Sequence, residues 1–166
     1  MQKLIKDGTI ANDSWTIIKT ATGPEIFQAA PGKAFIVPLQ LWKDFREEIE
    51  EYNGSIAVWL DSNESINKIG AGLQSLPLIA LNFPAFSDGR SYSNARELRL
   101  AHNYKGEIRA IGDVLRDQVF FMSRCGFSSF QLREDQDADA CLMALNDFSD
   151  AYQLSAAEPL PLFRRR

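Results

Sequence analysis

The side chains best suited to bind a ligand or to react with one lie in a short segment, residues 86–93 (FSDGRSYS). The segment combines a turn, a cation and, after the cation, three residues with hydroxyl groups, and it leads into a helix predicted to begin near Ser93. The free N–H groups and positive dipole of a helix N-terminus favour phosphate, sulfate or carboxylate. We therefore predict an anion or partner site at Asp88, Arg90, Ser91, Tyr92 and Ser93.

Two other interpretations of this segment stay open. In the first, Ser93 is an N-cap, Asp88 belongs to an ordinary turn with Gly89, and the arginines are solvated. In the second, the segment docks a protein, because aromatic side chains such as Phe86 and Tyr92 anchor many interfaces.

Arg109 and Asp113 extend the predicted ligand set. Arg109 lies within a predicted strand, where a charge is costly unless it is paired. Glu107 lies on the same face and offers an ion pair, whereas the functional alternative has Arg109 line a concave face with Gln131 and bind an anion. Asp113 is either the N-cap of the next helix or a carboxylate that faces the ligand. Catalytic residues stay unknown, with Asp113 and Tyr92 as candidates for an acid–base role.

The residue inventory excludes several kinds of chemistry. His102 is the single histidine, and Cys125 and Cys141 are the two cysteines. A structural zinc site needs about four Cys or His ligands, and an iron–sulfur cluster needs about four cysteines. Neither GxGxxG nor GxxxxGK[ST] occurs, so both phosphate-loop fingerprints are missing. We predict no metal and no evident cofactor, and we expect both thiols to be buried and reduced.

Charge and hydropathy limit the classes of binding partner that we expect. The formal net charge of −4 disfavours a general nucleic-acid binder, which usually carries a basic face. No apolar run reaches the roughly 18 residues of a membrane span. The N-terminus is interrupted by charge after two apolar residues, unlike a signal peptide. We expect a cytoplasmic protein with neither nucleic acid nor membrane as its partner.

The elements that must position these side chains form one predicted α/β domain, residues 1–166, with loosely ordered tails at 1–14 and 153–166. Apolar patterns predict strands at 15–20, 34–37, 56–60, 78–81, 107–111 and 129–132. Helical periodicity predicts helices at about 39–52, 63–75, 93–103, 113–125 and 136–149.

Residues 55–149 therefore form a core of four consecutive βα units, which implies a parallel sheet with right-handed crossovers. Such a sheet is either open and doubly wound, as in Rossmann-like folds, or half of a (βα)₈ barrel. Polar and apolar residues alternate in the last two strands, which is typical of a curved sheet with a partly polar concave face. Both architectures stay open, and both place ligands at the carboxyl ends of the strands.

Three segments resemble a known family: residues 86–93 (FSDGRSYS), 104–121 (YKGEIRAIGDVLRDQVFF) and 124–127 (RCGF). They are similar to the bacterial family called domain of unknown function 934. The resemblance implies a cytoplasmic protein often encoded beside sulfite reductase and other sulfate-assimilation genes. It implies no established activity or cofactor.

Three functional hypotheses follow. The first is an accessory protein of assimilatory sulfate or sulfite reduction that binds sulfite reductase or its electron donor. The second is an enzyme or binding protein for a sulfur oxyanion or phosphorylated ligand, with its site at the strand ends. The third is a structural homo-oligomer, because the open edges of a half-barrel invite self-pairing. Whether the protein is an enzyme stays undecided.

Overall fold

The computed structural model describes residues 3–20, 23–147, 153–160 and 164. The strands are β1 (Leu4–Lys6), β2 (Thr9–Ala11), β3 (Trp15–Ile17), β4 (Ala34–Pro38), β5 (Ser55–Leu60), β6 (Leu78–Phe83), β7 (Glu107–Gly112) and β8 (Ser129–Gln131). The α-helices are α1 (Glu25–Ala29), α2 (Leu39–Asp44), α3 (Arg46–Glu51), α4 (Arg90–Leu100), α5 (Arg116–Cys125) and α6 (Ala138–Ala144). A 3₁₀ segment, Ile66–Ser75, connects β5 to β6.

The strands form a single mixed sheet in the order β2-β1-β8-β7-β6-β5-β4-β3. Strands β3 to β8 are parallel and neighbour one another in chain order, while β1 pairs antiparallel with β8 and β2 with β1. The α/β class is confirmed, and the expectation of a purely parallel sheet is wrong. The sheet is a curled half-barrel, and its strand order lacks the reversal that a doubly wound fold requires.

A short connection shows how strongly the sheet curls. Strands β2 and β3 lie at opposite edges, yet only residues 12–14 join them. A connection of that length spans at most roughly 15 Å, whereas the edges of a flat eight-stranded sheet would be roughly 34 Å apart. The two edges must therefore approach each other, which encloses the concave face.

Alternate strand residues build two separate apolar layers. The larger layer lies on the convex face, where residues such as Val58, Ile79 and Leu81 pack against Ala95, Leu98, Val119 and Met122 of α4 and α5. The smaller layer consists of Ile36, Ala57, Leu78, Ala80 and Ile111, with Trp15, Ile17 and Trp59 packed against it. No helix of the described residues contributes to this second layer, so the curled sheet itself covers the concave face.

Several predicted elements need correction. The prediction of a loosely ordered tail at 1–14 is wrong for residues 4–11, which form β1 and β2. Leu4 and Ile5 of β1 are buried. The helix predicted at 39–52 breaks at Phe45 into α2 and α3. The helix predicted at 63–75 is a 3₁₀ segment interrupted at Gly70, whose φ of 75° suits glycine.

The structure describes only part of the segments predicted as the last helix and the C-terminal tail. Helix α6 is shorter than the predicted 136–149, and residues 148 and 149 lie outside the described part. Of the tail at 153–166, the described residues include Ser155, which is buried, and Gln153, whose carbonyl accepts a hydrogen bond from Arg124. Among the described residues, no helix has the length and apolar character needed to cross a membrane.

Candidate functional site

A buried ion network fills the amino-terminal end of the concave face. Arg109 is only 1% exposed, and its guanidinium donates to both carboxylate oxygens of Asp13 at 2.9 Å. It also contacts Glu107, whose Oε1 accepts from Arg109 Nε at 2.9 Å and from the Ser129 hydroxyl at 2.6 Å. Lys6 completes the network with an ion pair to Glu107 at 2.6 Å.

The network lowers the pKa of one of its two carboxylates, that of Glu107. Burial alone raises the pKa of Glu107, but hydrogen bonds from Lys6 and Ser129 and the positive charge of Arg109 hold it below its usual range. Since Asp13 lies in the connection between β2 and β3, the Asp13–Arg109 pair also ties the two edges of the sheet to its centre. Arg109 therefore forms the ion pair with Glu107 that the sequence offered as the structural alternative to anion binding. It does not line the cavity described next.

A cavity of about 530 Å³ occupies the carboxyl-terminal end of the same concave face. Its walls come from β3, β5, β6, β7 and β8, so nearly every parallel strand contributes. The lining residues are Trp15, Thr16, Ile17, Lys19, Trp59, Asn82, Ile111, Gly112 and Gln131. The volume lies within the roughly 300–1,000 Å³ that is typical of small-molecule sites.

Two tryptophans contribute apolar walls to this cavity, one held through its indole ring and the other through its backbone. The Nε1 of Trp59 donates a hydrogen bond to the carbonyl of Ile18 at 2.8 Å. The backbone N–H of Trp15 donates to Asp13 Oδ1 at 3.0 Å, and Asp13 is itself held by Arg109. The ion network therefore helps to position one wall of the cavity.

Two carboxamides supply the polar surface. Asn82 donates through Nδ2 to Asp61 Oδ1 at 2.9 Å, which directs its amide without occupying its carbonyl oxygen Oδ1. Gln131 is 8% exposed, and its side-chain amide has no hydrogen-bond partner in the described part of the chain. Lys19 is exposed and is the single charged residue among those that line the cavity.

Gly112 allows strands β6 and β7 to meet closely at the cavity wall. Its φ is +92°, which L side chains rarely adopt, and a Cβ there would clash with Asn82 Oδ1 and the carbonyl oxygen of Phe83. That carbonyl accepts from the N–H of Asp113 at 2.7 Å. A side chain at position 112 would therefore displace Asn82.

The predicted segment around residue 88 forms the rim beside the cavity. Arg90 donates to both oxygens of Asp88, at 3.0 and 2.6 Å, and the Ser62 hydroxyl donates to Asp88 Oδ2 at 2.6 Å. Hydrogen bonds from Arg90 and Ser62 hold the pKa of Asp88 well below its usual range, and Asp88 raises the pKa of Arg90. This carboxylate thus already neutralises the cation predicted to bind an anion.

The rim is connected to the cavity through Asp61. Its Oδ1 accepts from the backbone N–H of Ser62 at 2.8 Å and from the side chain of Asn82. Hydrogen bonds therefore run from Arg90 and Asp88 through Ser62 and Asp61 to Asn82. The predicted residues Asp88 and Arg90 belong to the scaffold that positions a cavity residue.

The hydroxyl residues of the segment lie apart from one another. Helix α4 begins at Arg90 rather than Ser93, so Ser93 is not its N-cap, and the Ser93 side chain is exposed. Ser91 is buried, with its hydroxyl donating to the carbonyl of Asn82 at 2.6 Å. Tyr92 packs against Phe83 and Phe121, and burial raises its pKa to about 12, so at neutral pH it keeps its proton.

Asp113 lies in the loop directly after β7. Helix α5 begins at Arg116, so Asp113 is not an N-cap, and its Oδ1 accepts from Arg133 at 2.6 Å. Arg133 also binds Asp135 through two hydrogen bonds of 2.6 and 2.7 Å, and these lower the pKa of Asp135 to about 2. At neutral pH Asp113 is thus engaged by a cation.

The structure therefore places the predicted segment 88–93 and Asp113 at the carboxyl-terminal end of the sheet without gathering them around one point, and it places Arg109 at the amino-terminal end. Sequence reasoning named Gln131 as a residue of the concave face beside Arg109, but it did not assign Trp15, Trp59 or Lys19 to the site. The signal that could have identified Trp59 is the alternation of side chains along β5, which places Ala57 and Trp59 together on the concave face. No group of three or more His, Cys, Asp or Glu side chains in the described ranges is arranged to hold a metal ion.

Comparison with known proteins identifies a family. The family model described as a bacterial protein of unknown function, DUF934, matches residues 57–163, about two thirds of the chain. The match includes β6, β7 and β8, which carry Asn82, Gly112 and Gln131. A search of curated proteins finds no match.

Proposed function

We propose that this chain, which belongs to the DUF934 family of bacterial proteins, binds a small molecule in the cavity at the carboxyl ends of its strands. The observation that carries the proposal is the roughly 530 Å³ cavity lined by two tryptophans and two carboxamides. Apolar walls with a few directed polar groups are typical of ligand sites, and strand carboxyl ends are their usual place in α/β folds.

The proposal revises the anion site expected at residues 88–93. The cations there are already paired with carboxylates, as Arg90 is with Asp88 and Arg133 with Asp113. The concave cavity instead offers polar atoms that the described protein groups leave unpaired. The proposed role is binding, and the described geometry offers no acid–base pair to which we would assign a reaction.

A thermal-shift screen tests this function with nucleotides, nucleosides, aromatic carboxylates, sulfite, sulfate and adenylylated sulfate. A ligand at about 100 times its dissociation constant adds roughly 2.7 kcal/mol of stability, which raises the melting temperature of a protein this size by about 5–10 °C. We expect Trp59→Leu to abolish the shift. Trp42→Phe is the matched control, because Trp42 packs in the convex core beneath Arg46.

Two results would contradict the proposal. One is the absence of a shift with every compound in the screen. The other is a shift that Trp59→Leu leaves unchanged, which would place the ligand outside the cavity. Circular dichroism of each variant separates loss of binding from loss of folding.

A second candidate function is protein docking, which an exposed aromatic patch favours. Phe121 on α5 and Phe86 in the loop before α4 are each 55% exposed, and Phe121 packs on Tyr92 of α4 with ring centroids 5.0 Å apart. Aromatic side chains dominate many interface hot spots. The sequence resemblance makes sulfite reductase or its electron donor the first partner to test in this proposal.

A pull-down with sulfite reductase at micromolar concentration tests docking. We expect the double variant Phe86→Ser, Phe121→Ser to lose capture. Leu100→Ser is the control, because Leu100 is equally exposed at 58% but lies at the other end of α4. Absence of capture by the unmodified protein would contradict this second function.

A further inference from the structure

We infer that the ligand of the cavity is a planar heteroaromatic anion, with a hydrogen-bonding ring edge and one negatively charged group. The inference rests on the proposed function and names the class of ligand for the same site. Three independent features of the cavity carry it: the indole walls, the unpaired carboxamide atoms and the isolated lysine.

The indole walls favour a flat ring. Trp15 and Trp59 present aromatic surface, and Ile17 and Ile111 add aliphatic surface. Stacking of a base or similar ring on an aromatic side chain is a common source of affinity in proteins. Because Trp59 is fixed by its hydrogen bond to Ile18, the ring loses little freedom when a ligand stacks on it.

The carboxamides favour a ring with both donor and acceptor atoms on its edge. Asn82 offers its Oδ1 as an acceptor, since Nδ2 already donates to Asp61. Gln131 offers a donor and an acceptor, because its amide has no partner among the described residues. An N–H beside a carbonyl or ring nitrogen satisfies these atoms, as nucleobases satisfy Asn and Gln elsewhere. A plain hydrocarbon ring would leave Asn82 Oδ1 and the Gln131 amide without a partner at a cost.

Lys19 favours a negative charge on the ligand. It is the one charged residue among the lining side chains, and it has no ion-pair partner in the described part of the chain. The carboxylate that holds the lining residue Asn82 is Asp61, whose Oδ1 already accepts two hydrogen bonds. A phosphate or carboxylate near Lys19 therefore meets an unopposed cation at the mouth of the cavity.

Calorimetric titration with matched compounds tests this inference. The pairs are uridine with uridine 5′-monophosphate and riboflavin with flavin mononucleotide, each differing only in the phosphate. Inorganic phosphate and ribose 5-phosphate supply the charge without the ring, and 2-naphthalenesulfonate supplies ring and charge without the amide-like edge. We expect at least one phosphorylated pair member to bind about fivefold to tenfold tighter than its neutral partner.

The variants assign the effect to residues. Lys19→Ala should remove the preference for the phosphorylated member, and Lys19→Arg should keep it. Gln131→Leu should weaken the nucleotide and leave 2-naphthalenesulfonate unaffected. Trp59→Leu should weaken every ring compound.

The outcomes separate this inference from the proposed function. Equal binding of neutral and phosphorylated rings leaves the cavity function intact and overturns the anionic class. Binding of ribose 5-phosphate as tight as that of the nucleotides overturns the planar ring. If none of these compounds binds but the thermal-shift screen finds a different cavity ligand, the inference is overturned and the proposed function stands. If neither experiment finds a ligand, the proposed function is overturned as well.

Discussion

Replacing Arg109 by leucine tests how the half-barrel is held closed. The substitution keeps a long side chain on the concave face but removes the guanidinium that binds Asp13 and Glu107. Glu107 keeps Lys6 and Ser129, whereas Asp13 keeps, among the described residues, only the backbone N–H of Trp15. The connection between the two sheet edges then loses its anchor.

The expected cost follows from burial. Removing one partner of a buried ion pair typically costs about 3–5 kcal/mol, because the remaining charge stays buried without compensation. Arg109 is 1% exposed, and the side chains of Asp13 and Glu107 are 14% and 9% exposed, so the full range applies. For a chain of this size the melting temperature should fall by about 6–20 °C.

Urea and thermal unfolding, followed by circular dichroism, measure this loss. Arg133→Leu is the matched control, since Arg133 also binds two carboxylates but is 45% exposed. Exposed ion pairs contribute about 0–1 kcal/mol. If Arg109→Leu costs no more than Arg133→Leu, the network does not hold the sheet edges, and the reasoning is refuted.

Three further predictions concern the cavity wall and two titrating groups. Gly112→Ala should lower the free energy of unfolding by at least about 1–3 kcal/mol, because the φ of Gly112 is positive and a Cβ there would clash with Asn82. The control, Gly89→Ala, should change the free energy of unfolding by no more than about 0.5 kcal/mol, and urea unfolding measures both. Equal effects would contradict the clash. Since the folded pKa of Glu107 lies below its usual 4.5, its stabilisation is present above pH 4.5 and lost on acidification, so Glu107→Gln should flatten the acid dependence of stability. An unchanged slope would argue against this. In alkaline titration at 295 nm, Tyr92→Phe should remove a component near pH 12, because burial raises the pKa of Tyr92; loss of a component near pH 10 would show that it titrates normally. Because that folded pKa is raised, the stabilisation by Tyr92 is present below pH 10 and lost toward pH 12.

The sequence predicted the parallel part of the fold because its signals are local. The strands at β5 to β8 are apolar runs followed by helical periodicity, and their predicted positions are correct to within about two residues. Strands β1 and β2 escaped prediction because each is three residues long and because β1 joins the sheet only through β8, a strand distant in the sequence, while β2 pairs with β1. Pairing of this kind depends on tertiary contacts rather than on local pattern.

The candidate site was predicted at the correct end of the sheet but on different side chains. The carboxyl-end rule locates the loops after β6 and β7, and Arg90 and Asp113 indeed lie there. The sequence could not show that each would be engaged by an opposite charge, because Asp88 neutralises Arg90 from two residues away and Arg133 reaches Asp113 across the rim. Trp15 joins the cavity only because the sheet curls.

The polar residues within β7 and β8 have two different tasks, which their positions along the strands separate. Glu107, Arg109 and Ser129 lie at the amino end of the concave face, where they satisfy one another and close the interior. Gln131 lies one inward position further along β8 than Ser129, at the level of Ile111, and its amide is unpaired in the described part. A sheet that needed polar residues only to stabilise its interior would pair this amide as well. One end of the concave face has polar side chains that pair with one another, and the other end presents the Gln131 amide and Asn82 Oδ1 to the cavity; this contrast is the strongest structural reason to look for a ligand there.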